Sequence, residues 1–160
     1  MEVRMKHAYK QPIDALFKSF GNKSVLEKKF ESLGARNVSV EKCKLTKTAL
    51  ETKFSREVPT KVPGLLNKFL GEWNLITQEE HWVGVVGKQY QCELTVAFKG
   101  VPVFIRGTMV LKVDGKGCTN TVVLDVTSSV PLIGRKLAEF IGETAAAEGQ
   151  KEYEYLKAAL

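Results

Sequence analysis

Hydrophobic and polar residues alternate along most of the chain, with the period of two that is typical of half-buried β-strands. The alternation predicts seven strands, at residues 2–10, 36–45, 49–58, 72–82, 88–98, 101–113 and 118–130. One parity of the third strand holds Leu50, Thr52, Phe54, Arg56 and Val58, and one parity of the fifth holds Tyr90, Cys92, Leu94, Val96 and Phe98. Short glycine-containing turns make the last four strands antiparallel neighbours. The sheet therefore has one largely apolar face, which another element must cover.

The pattern becomes helical between the first two strands and again after the third. Residues 13–20 and 25–33 space their apolar positions as two short helices, ended by Gly21 and Gly34, and Asn22 is a suitable N-cap for the second. A proline-containing interruption at 59–63 precedes one or two apolar helical turns at 64–71.

The C-terminal residues predict one long amphipathic helix. Pro131 suits a first helical turn and Ser129 suits the N-cap, and a helix continuing to Ala159 is about 43 Å long at 1.5 Å per residue. This is the one predicted element long enough to cover the apolar face of the sheet. Gly134, Gly142 and Gly149 flank its apolar side, where they either permit close packing or let the helix move as a lid.

Three polar residues interrupt the apolar side of this helix, namely Thr144, Glu148 and Lys151. A charge that faces a closed core is costly unless it is paired. Glu148 and Lys151 are spaced to pair with each other, and such a pair is harmless where the helix extends beyond the sheet. The alternative is that these residues anchor the polar head group of a ligand at the mouth of a cavity.

Length and composition favour one compact domain over residues 1–160, with 44% hydrophobic residues. No apolar run is long enough to span a bilayer, and the N-terminus lacks the hydrophobic segment of a secretory signal, so we expect a cytoplasmic protein. The net charge of +6 is uneven, since residues 1–68 carry 15 Lys/Arg and 7 Asp/Glu. Scattered lysines favour a solvated outer face, so we expect no nucleic-acid partner, while contact with an anionic membrane remains an alternative.

The chemistry-bearing residues predict neither a catalytic constellation nor a metal site. Three widely spaced cysteines form no pair, and two histidines are too few for a histidine-rich zinc site or a recognisable Ser/His/Asp arrangement. We therefore expect no metal, no cofactor and no catalytic residue. The segment 84–87 joins two antiparallel strands, which favours a hairpin turn over a phosphate-binding loop.

The order of elements and three motifs carry a family resemblance. The motifs are Val62-Pro-Gly-Leu-Leu, Gly100-Val-Pro-Val-Phe-Ile-Arg-Gly107 and Ser129-Val-Pro-Leu-Ile-Gly134. The chain resembles the START-like (SRPBCC) superfamily, which includes START lipid-transfer domains, birch-pollen-allergen-type proteins and polyketide cyclases, and within it an uncharacterised bacterial family. The resemblance implies an α+β helix-grip fold, with a seven-stranded curved antiparallel sheet in the order β-α-α-β6-α wrapped around the long helix. It also implies a hydrophobic cavity between sheet and helix.

The inward-facing side chains then give a candidate site. We predict a ligand pocket lined by Phe54, Tyr90, Leu94, Phe98, Ile105, Met109, Leu137, Phe140, Ile141, Thr144 and Glu148, with His81, Trp82 and Lys151 at a possible rim. The leading hypothesis is binding of a lipid, acyl or polyketide-like molecule without catalysis. One alternative is a cyclase- or hydratase-like enzyme that uses Tyr90, His81 or Glu148 as acid or base. The other is a co-chaperone or peripheral membrane module, and no particular protein partner is indicated.

Overall fold

The computed structural model describes residues 1–60, 62 and 64–160, and of Leu65 the backbone alone. The strands are β1 (Glu2–Tyr9), β2 (Arg36–Leu45), β3 (Ala49–Pro59), β4 (Trp73–Val85), β5 (Gln89–Phe98), β6 (Val103–Asp114) and β7 (Gly117–Ser128). The helices are α1 (Ile13–Phe20), α2 (Lys23–Ser32) and α3 (Gly134–Ala159), with one 3-10 turn at Gly64–Leu66. The predicted interruption at 59–63 falls partly on Lys61 and Pro63, which lie outside the described residues.

The seven strands form one antiparallel sheet in the order β1-β7-β6-β5-β4-β3-β2. Inward-facing residues of neighbouring strands pair directly, as Met109 does with Cys92 on one side and Val122 on the other. Register shifts in β2, between Arg36 and Ser39 and between Val40 and Lys42, interrupt its pairing with β3. The predicted fold class, a seven-stranded antiparallel sheet with a long C-terminal helix, is confirmed.

Helices α1 and α2 form where the sequence predicts them. Asn22 caps α2, because its side-chain oxygen accepts the backbone N–H of Val25 at 3.2 Å. Helix α1 covers one end of the inner face, where the ring of Phe17 stacks on that of Tyr90 with centroids 3.8 Å apart. Asp14, in the first turn of α1, accepts hydrogen bonds from the Tyr90 hydroxyl at 2.6 Å and the Gly87 N–H at 2.8 Å. These bonds attach α1 to the β4–β5 hairpin.

Helix α3 begins three residues later than the sequence predicts, at Gly134 rather than Pro131. Leu132 has a φ of 68°, a left-handed conformation that cannot occur inside a right-handed helix. Ser129 is therefore not the N-cap, and the neighbouring Ser128 hydroxyl instead accepts the N–H of Val130 at 3.3 Å. The helix has 26 residues and is about 39 Å long. Among the helices of the described chain, none is both long and apolar enough to cross a bilayer.

The glycines of α3 lie where the helix approaches its neighbours closely. A methyl group on Gly142 would lie 2.8 Å from the sulfur of Met1 and 3.2 Å from Val3, and one on Gly149 would lie 2.6 Å from the sulfur of Met5. A methyl group on Gly134 would lie 3.1 Å from the Ser128 carbonyl oxygen. These distances favour the close-packing interpretation of the three glycines over a lid.

Candidate functional site

A cavity of about 640 Å³ lies between the inner face of the sheet and helices α2 and α3. Ligand pockets have volumes of roughly 300–1,000 Å³, whereas ordinary cores contain few gaps larger than a water molecule. The central part of α3 faces the cavity with Thr144 and Ala145, whose small side chains leave the space beneath the helix unfilled. Pro59 and Lys151 are exposed members of the lining and mark where the cavity meets solvent.

Most of the predicted pocket residues line this cavity. They are Leu94, Phe98, Ile105, Met109, Phe140, Ile141, Thr144 and Glu148, joined by two of the three predicted rim residues, Trp82 and Lys151. Strands β5, β6 and β7 contribute a continuous hydrophobic surface, here called the apolar wall, which consists of Leu94, Val96, Ile105, Met109, Val122 and Leu124. The structure thus brings most of the sequence-predicted residues together around one space.

Phe54, Tyr90 and Leu137 face inward as predicted but do not border the cavity. Phe54 is covered by α2, with its ring 5.3 Å from that of Phe30. Phe17 of α1 covers Tyr90. Leu137 is completely buried where α3 packs on the sheet. In all three cases a helical side chain or the helix itself occupies the space that a ligand would need.

His81 does not lie at the cavity rim. It has the opposite parity to Trp82 on β4, so its side chain is exposed on the outer face of the sheet. Its Nδ1 atom lies 3.7 Å from a carboxylate oxygen of Glu51. Two adjacent residues of one strand face opposite sides, so His81 and Trp82 cannot both belong to the same rim.

A row of polar side chains on β3 and β4, absent from the predicted site, forms the other side of the cavity. The polar wall consists of Arg56, Gln78 and Glu80. Arg56 Nη1 donates to Gln78 Oε1 at 3.4 Å, and Gln78 Nε2 donates to Glu80 Oε2 at 2.9 Å. The other carboxylate oxygen of Glu80 accepts the indole N–H of Trp82 at 3.0 Å. In the sequence, strand parity was the available signal, because Arg56 occupies the same set of alternating positions as Phe54 and Val58.

Burial shifts the titration of both charged members of the polar wall. Desolvation lowers the pKa of Arg56, opposed by the nearby negative charges of Glu152, Glu80 and Glu148. Desolvation raises the pKa of Glu80, opposed by Lys29 and by the hydrogen bonds from Trp82 and Gln78. The guanidinium of Arg56 also lies over the ring of Phe30, 4.0 Å from its centroid. The cavity therefore combines a large apolar surface with a few polar groups whose charges are poorly solvated.

The helices contribute two ion pairs to the lining. Lys29 of α2 lies 3.3 Å from Glu152 of α3, and both side chains are largely buried. Glu148 and Lys151 pair within α3 at 3.0 Å, with side chains about half exposed. The Thr144 hydroxyl donates to the Phe140 carbonyl oxygen at 2.9 Å. Thr144, Glu148 and Lys151, the polar residues on the apolar side of α3, therefore all have partners within the helix, and the Glu148–Lys151 pair lies at the solvent edge of the cavity.

Two further lining residues that the sequence-based site omitted lie where β1 meets α3, namely His7 and Tyr153. His7 is buried and stacks on Tyr153 of α3 with ring centroids 4.5 Å apart, and burial lowers its pKa. The Tyr153 hydroxyl donates to the Ala8 carbonyl oxygen at 2.7 Å. These contacts fix the last turns of α3 against β1. In the sequence, His7 shares the strand parity of Val3 and Met5, but a histidine among apolar neighbours gives no further signal.

Two of the three free cysteines, Cys92 and Cys118, are buried. Burial raises the pKa of the Cys118 thiol to about 11 and that of Cys92 above its usual range, which disfavours the nucleophilic thiolate. Within the part of the chain that the structure describes, no three His, Cys, Asp or Glu side chains come together as a metal-binding group.

Comparisons with known proteins identify the fold. A family model described as "Protein of unknown function (DUF2505)" matches residues 4–160. The structure is similar to TTHA0849 from Thermus thermophilus, with 16% identity, 99% of each chain covered and a TM-score of 0.66. It is also similar to Ara h 8.0201, with 9% identity, 99% and 98% coverage and a TM-score of 0.61. A START superfamily protein from Mycobacterium smegmatis matches with 8% identity, 99% coverage of each chain and a TM-score of 0.60. No match was found among curated proteins.

Proposed function

This chain belongs to the DUF2505 family and has the START-like helix-grip fold, and we propose that it binds a hydrophobic small molecule in the cavity beneath α3 without catalysing a reaction. The observation that carries the proposal is the cavity itself, at about 640 Å³. A space of this size is costly in a core that exists only for stability, because its lining loses packing contacts. A lipid, acyl or polyketide-like molecule would restore those contacts.

The composition of the lining supports a hydrophobic ligand. The apolar wall spans three adjacent strands, and Phe98, Phe140 and Ile141 extend it on the sheet and on α3. Burial of apolar ligand surface contributes about 25 cal/mol per Å², so even a medium-length hydrocarbon chain gains several kcal/mol there. The charged lining side chains lie beside this surface, on β3 and β4 and on helices α2 and α3, so one part of the cavity is apolar and another is polar.

The positions of the proposed acid–base residues favour binding over catalysis. Tyr90 and His81 both lie outside the cavity, and burial together with the hydrogen bond to Asp14 raises the pKa of Tyr90 above its usual range. Glu148 does line the cavity, but it is paired with Lys151. A cyclase- or hydratase-like reaction would therefore have to proceed without two of its three proposed groups.

The basic residues of the segment 1–68 also fit a solvated surface better than a surface that binds a membrane or a nucleic acid. On the outer face of β2, β3 and β4, Lys42 pairs with Glu51 at 2.6 Å, and Lys53 lies within 4 Å of both Glu41 and Glu79. Alternating charges of this kind neutralise one another locally, which weakens any attraction to a polyanion. The geometry adds no support to a membrane or nucleic-acid role.

Titration with Nile red, an uncharged fluorescent dye, tests the proposal. Binding in an apolar cavity raises the dye's fluorescence, and native mass spectrometry of the purified protein reports any co-purified molecule and the stoichiometry. We expect saturable binding of one dye molecule per chain, with competition from aliphatic molecules. Absence of both dye binding and a small-molecule adduct in the folded protein would refute the proposed function.

A further inference from the structure

We propose that the ligand of this cavity is an amphipathic acid, whose carboxylate is bound by the guanidinium of Arg56 and whose hydrocarbon part lies along the apolar wall. The inference rests on the proposed function and deepens it, because it assigns a head group to the bound molecule. Strand register places the two required surfaces side by side, since Gln78 pairs with Val96 and Glu80 with Leu94. One molecule can therefore contact the polar wall and the apolar wall together.

Arg56 is a buried cation with unused hydrogen-bonding capacity. It lines the cavity, and among the described residues its one hydrogen bond goes to Gln78 Oε1 at 3.4 Å, near the upper limit for such a bond. A guanidinium has five N–H donors, arranged in a fork that matches a carboxylate. The rings of Phe30 and Phe54, with centroids 4.0 and 5.5 Å away, restrict its position. The group is thus held in place while most of its donors lack an acceptor from the described chain.

The acids near Arg56 already have partners of their own. Glu152 and Glu148 influence the titration of Arg56, but Glu152 pairs with Lys29 at 3.3 Å and Glu148 with Lys151 at 3.0 Å. Within the described residues, no carboxylate oxygen lies within 4 Å of the Arg56 guanidinium. Lys29 and Lys151, which also line the cavity, are therefore compensated directly, whereas Arg56 has no such partner among the described residues.

Glu80 is the remaining acid, and its surroundings do not favour its charge. It accepts hydrogen bonds from Trp82 and from Gln78, so Gln78 separates it from the guanidinium. Desolvation by burial disfavours the charged form and raises the pKa of its carboxyl group. A buried cation without a paired anion is costly, and a ligand carboxylate would supply the missing charge and the missing acceptors.

Two ligands that differ only in the head group test this inference, namely decanoate and decan-1-ol. Each displaces Nile red from the wild-type protein, from Arg56→Gln, from Arg56→Lys and from Lys136→Gln, at pH 7.5 and below the critical micelle concentration. We expect decanoate to bind the wild type about tenfold or more tightly than decan-1-ol. Arg56→Gln should reduce this ratio to near one, and Arg56→Lys should give an intermediate ratio. Lys136 is exposed on α3 and does not line the cavity, so the control Lys136→Gln should retain the wild-type ratio.

The outcomes separate this inference from the proposed function. Equal affinities of the wild type for the two ligands would overturn the acidic head group but leave hydrophobic binding intact. A preference for decanoate that survives in Arg56→Gln would overturn the role of Arg56. Failure of Nile red to bind the wild type would refute the proposed function and the inference with it. The wild-type comparison needs no variant, and dye binding by each variant shows that its cavity is intact.

Discussion

The two ends of the inner face of the sheet are built differently, although the same strands run through both. At the filled end, under α1, Leu16, Phe17, Tyr90 and Leu111 are almost completely buried, and the rings of Phe17 and Tyr90 stack on each other. Under the central part of α3, small residues face the sheet and a cavity of about 640 Å³ remains. The fold provides a curved sheet and a covering helix, and side-chain size decides where the space between them is filled.

The two ends also treat polar groups differently. At the filled end, the Tyr90 hydroxyl has a direct partner in Asp14, 2.6 Å away. At the cavity, Arg56 reaches its partner Gln78 only at 3.4 Å. Polar groups that serve stability are usually well paired, whereas binding sites often hold groups that await a partner. The long bond of Arg56 thus adds to the cavity volume as support for the proposed binding site.

Truncating an aromatic ring should distinguish the two ends most strongly. Phe17→Ala removes a ring that stacks on Tyr90 and should lower the free energy of unfolding by about 3–5 kcal/mol. Phe140→Ala removes a ring that borders existing empty space and should cost roughly half as much. Urea denaturation measures both values. Equal losses would show that the region around Phe140 is packed as tightly as the filled end.

Enlarging an alanine of α3 provides a matched test within one helix. Ala138 is buried and does not line the cavity, so Ala138→Leu should cost about 1–3 kcal/mol through overpacking. Ala145 faces the cavity, so Ala145→Leu should change stability by less than about 1 kcal/mol and weaken Nile red binding about tenfold or more. Retention of full dye affinity in Ala145→Leu would place the dye elsewhere.

The pH dependence of stability should report the buried carboxyl of Glu80. Because its pKa in the folded state is raised above the unfolded value, its stabilising contribution is complete below about pH 4.5 and is lost as the pH rises through the folded pKa. Glu80→Gln should therefore gain stability relative to the wild type between pH 4 and pH 8, by about 1.4 kcal/mol for each unit of raised pKa.

Urea denaturation of both proteins across this pH range measures the gain. The contribution of His7, whose pKa is lowered by burial, is common to both proteins and cancels in the difference. A difference that stays constant from pH 4 to pH 8 would contradict the burial of an ionisable group at this position.

The smallest expected effect concerns the hydroxyl of Tyr90. Tyr90→Phe removes the hydrogen bond from the Tyr90 hydroxyl to Asp14, but the Asp14 carboxylate still accepts the N–H of Gly87. The free energy of unfolding should therefore fall by only about 1 kcal/mol. Nile red affinity should remain unchanged, because Tyr90 does not border the cavity. A selective loss of dye binding with unaltered stability would contradict the assignment of Tyr90 to the filled end.

Strand periodicity was sufficient to predict the fold. A shift of one residue would turn every side chain of a strand to the other face of the sheet, so the alternation of apolar and polar residues is strongly constrained wherever one face is buried. Periodicity also placed Arg56 on the same strand parity as Phe54 and Val58, but it does not give the partners of a side chain, and Arg56 was left out of the predicted pocket. The lateral position of α1 and α2 over the sheet was equally inaccessible, so Phe54 and Tyr90 were assigned to the pocket although Phe30 and Phe17 cover them.

The start of α3 illustrates a limit of local sequence signals. Pro131 suits the first turn of a helix, and only the three-dimensional context gives Leu132 its left-handed conformation and delays the helix to Gly134. The void itself was also beyond sequence analysis, because it depends on how facing side chains from distant segments fill a shared space. Thr144, Ala145 and Gly149 are small, but smallness alone does not distinguish close packing from a cavity.

A crystal structure of the protein grown with saturating decanoate tests the central claim most directly. The account predicts electron density for one decanoate molecule beneath α3, with its hydrocarbon chain against the apolar wall and its carboxylate within hydrogen-bonding distance of the Arg56 guanidinium. An interior without decanoate, or decanoate bound only on the outer surface, would contradict the claim that this cavity is a binding site for an amphipathic acid.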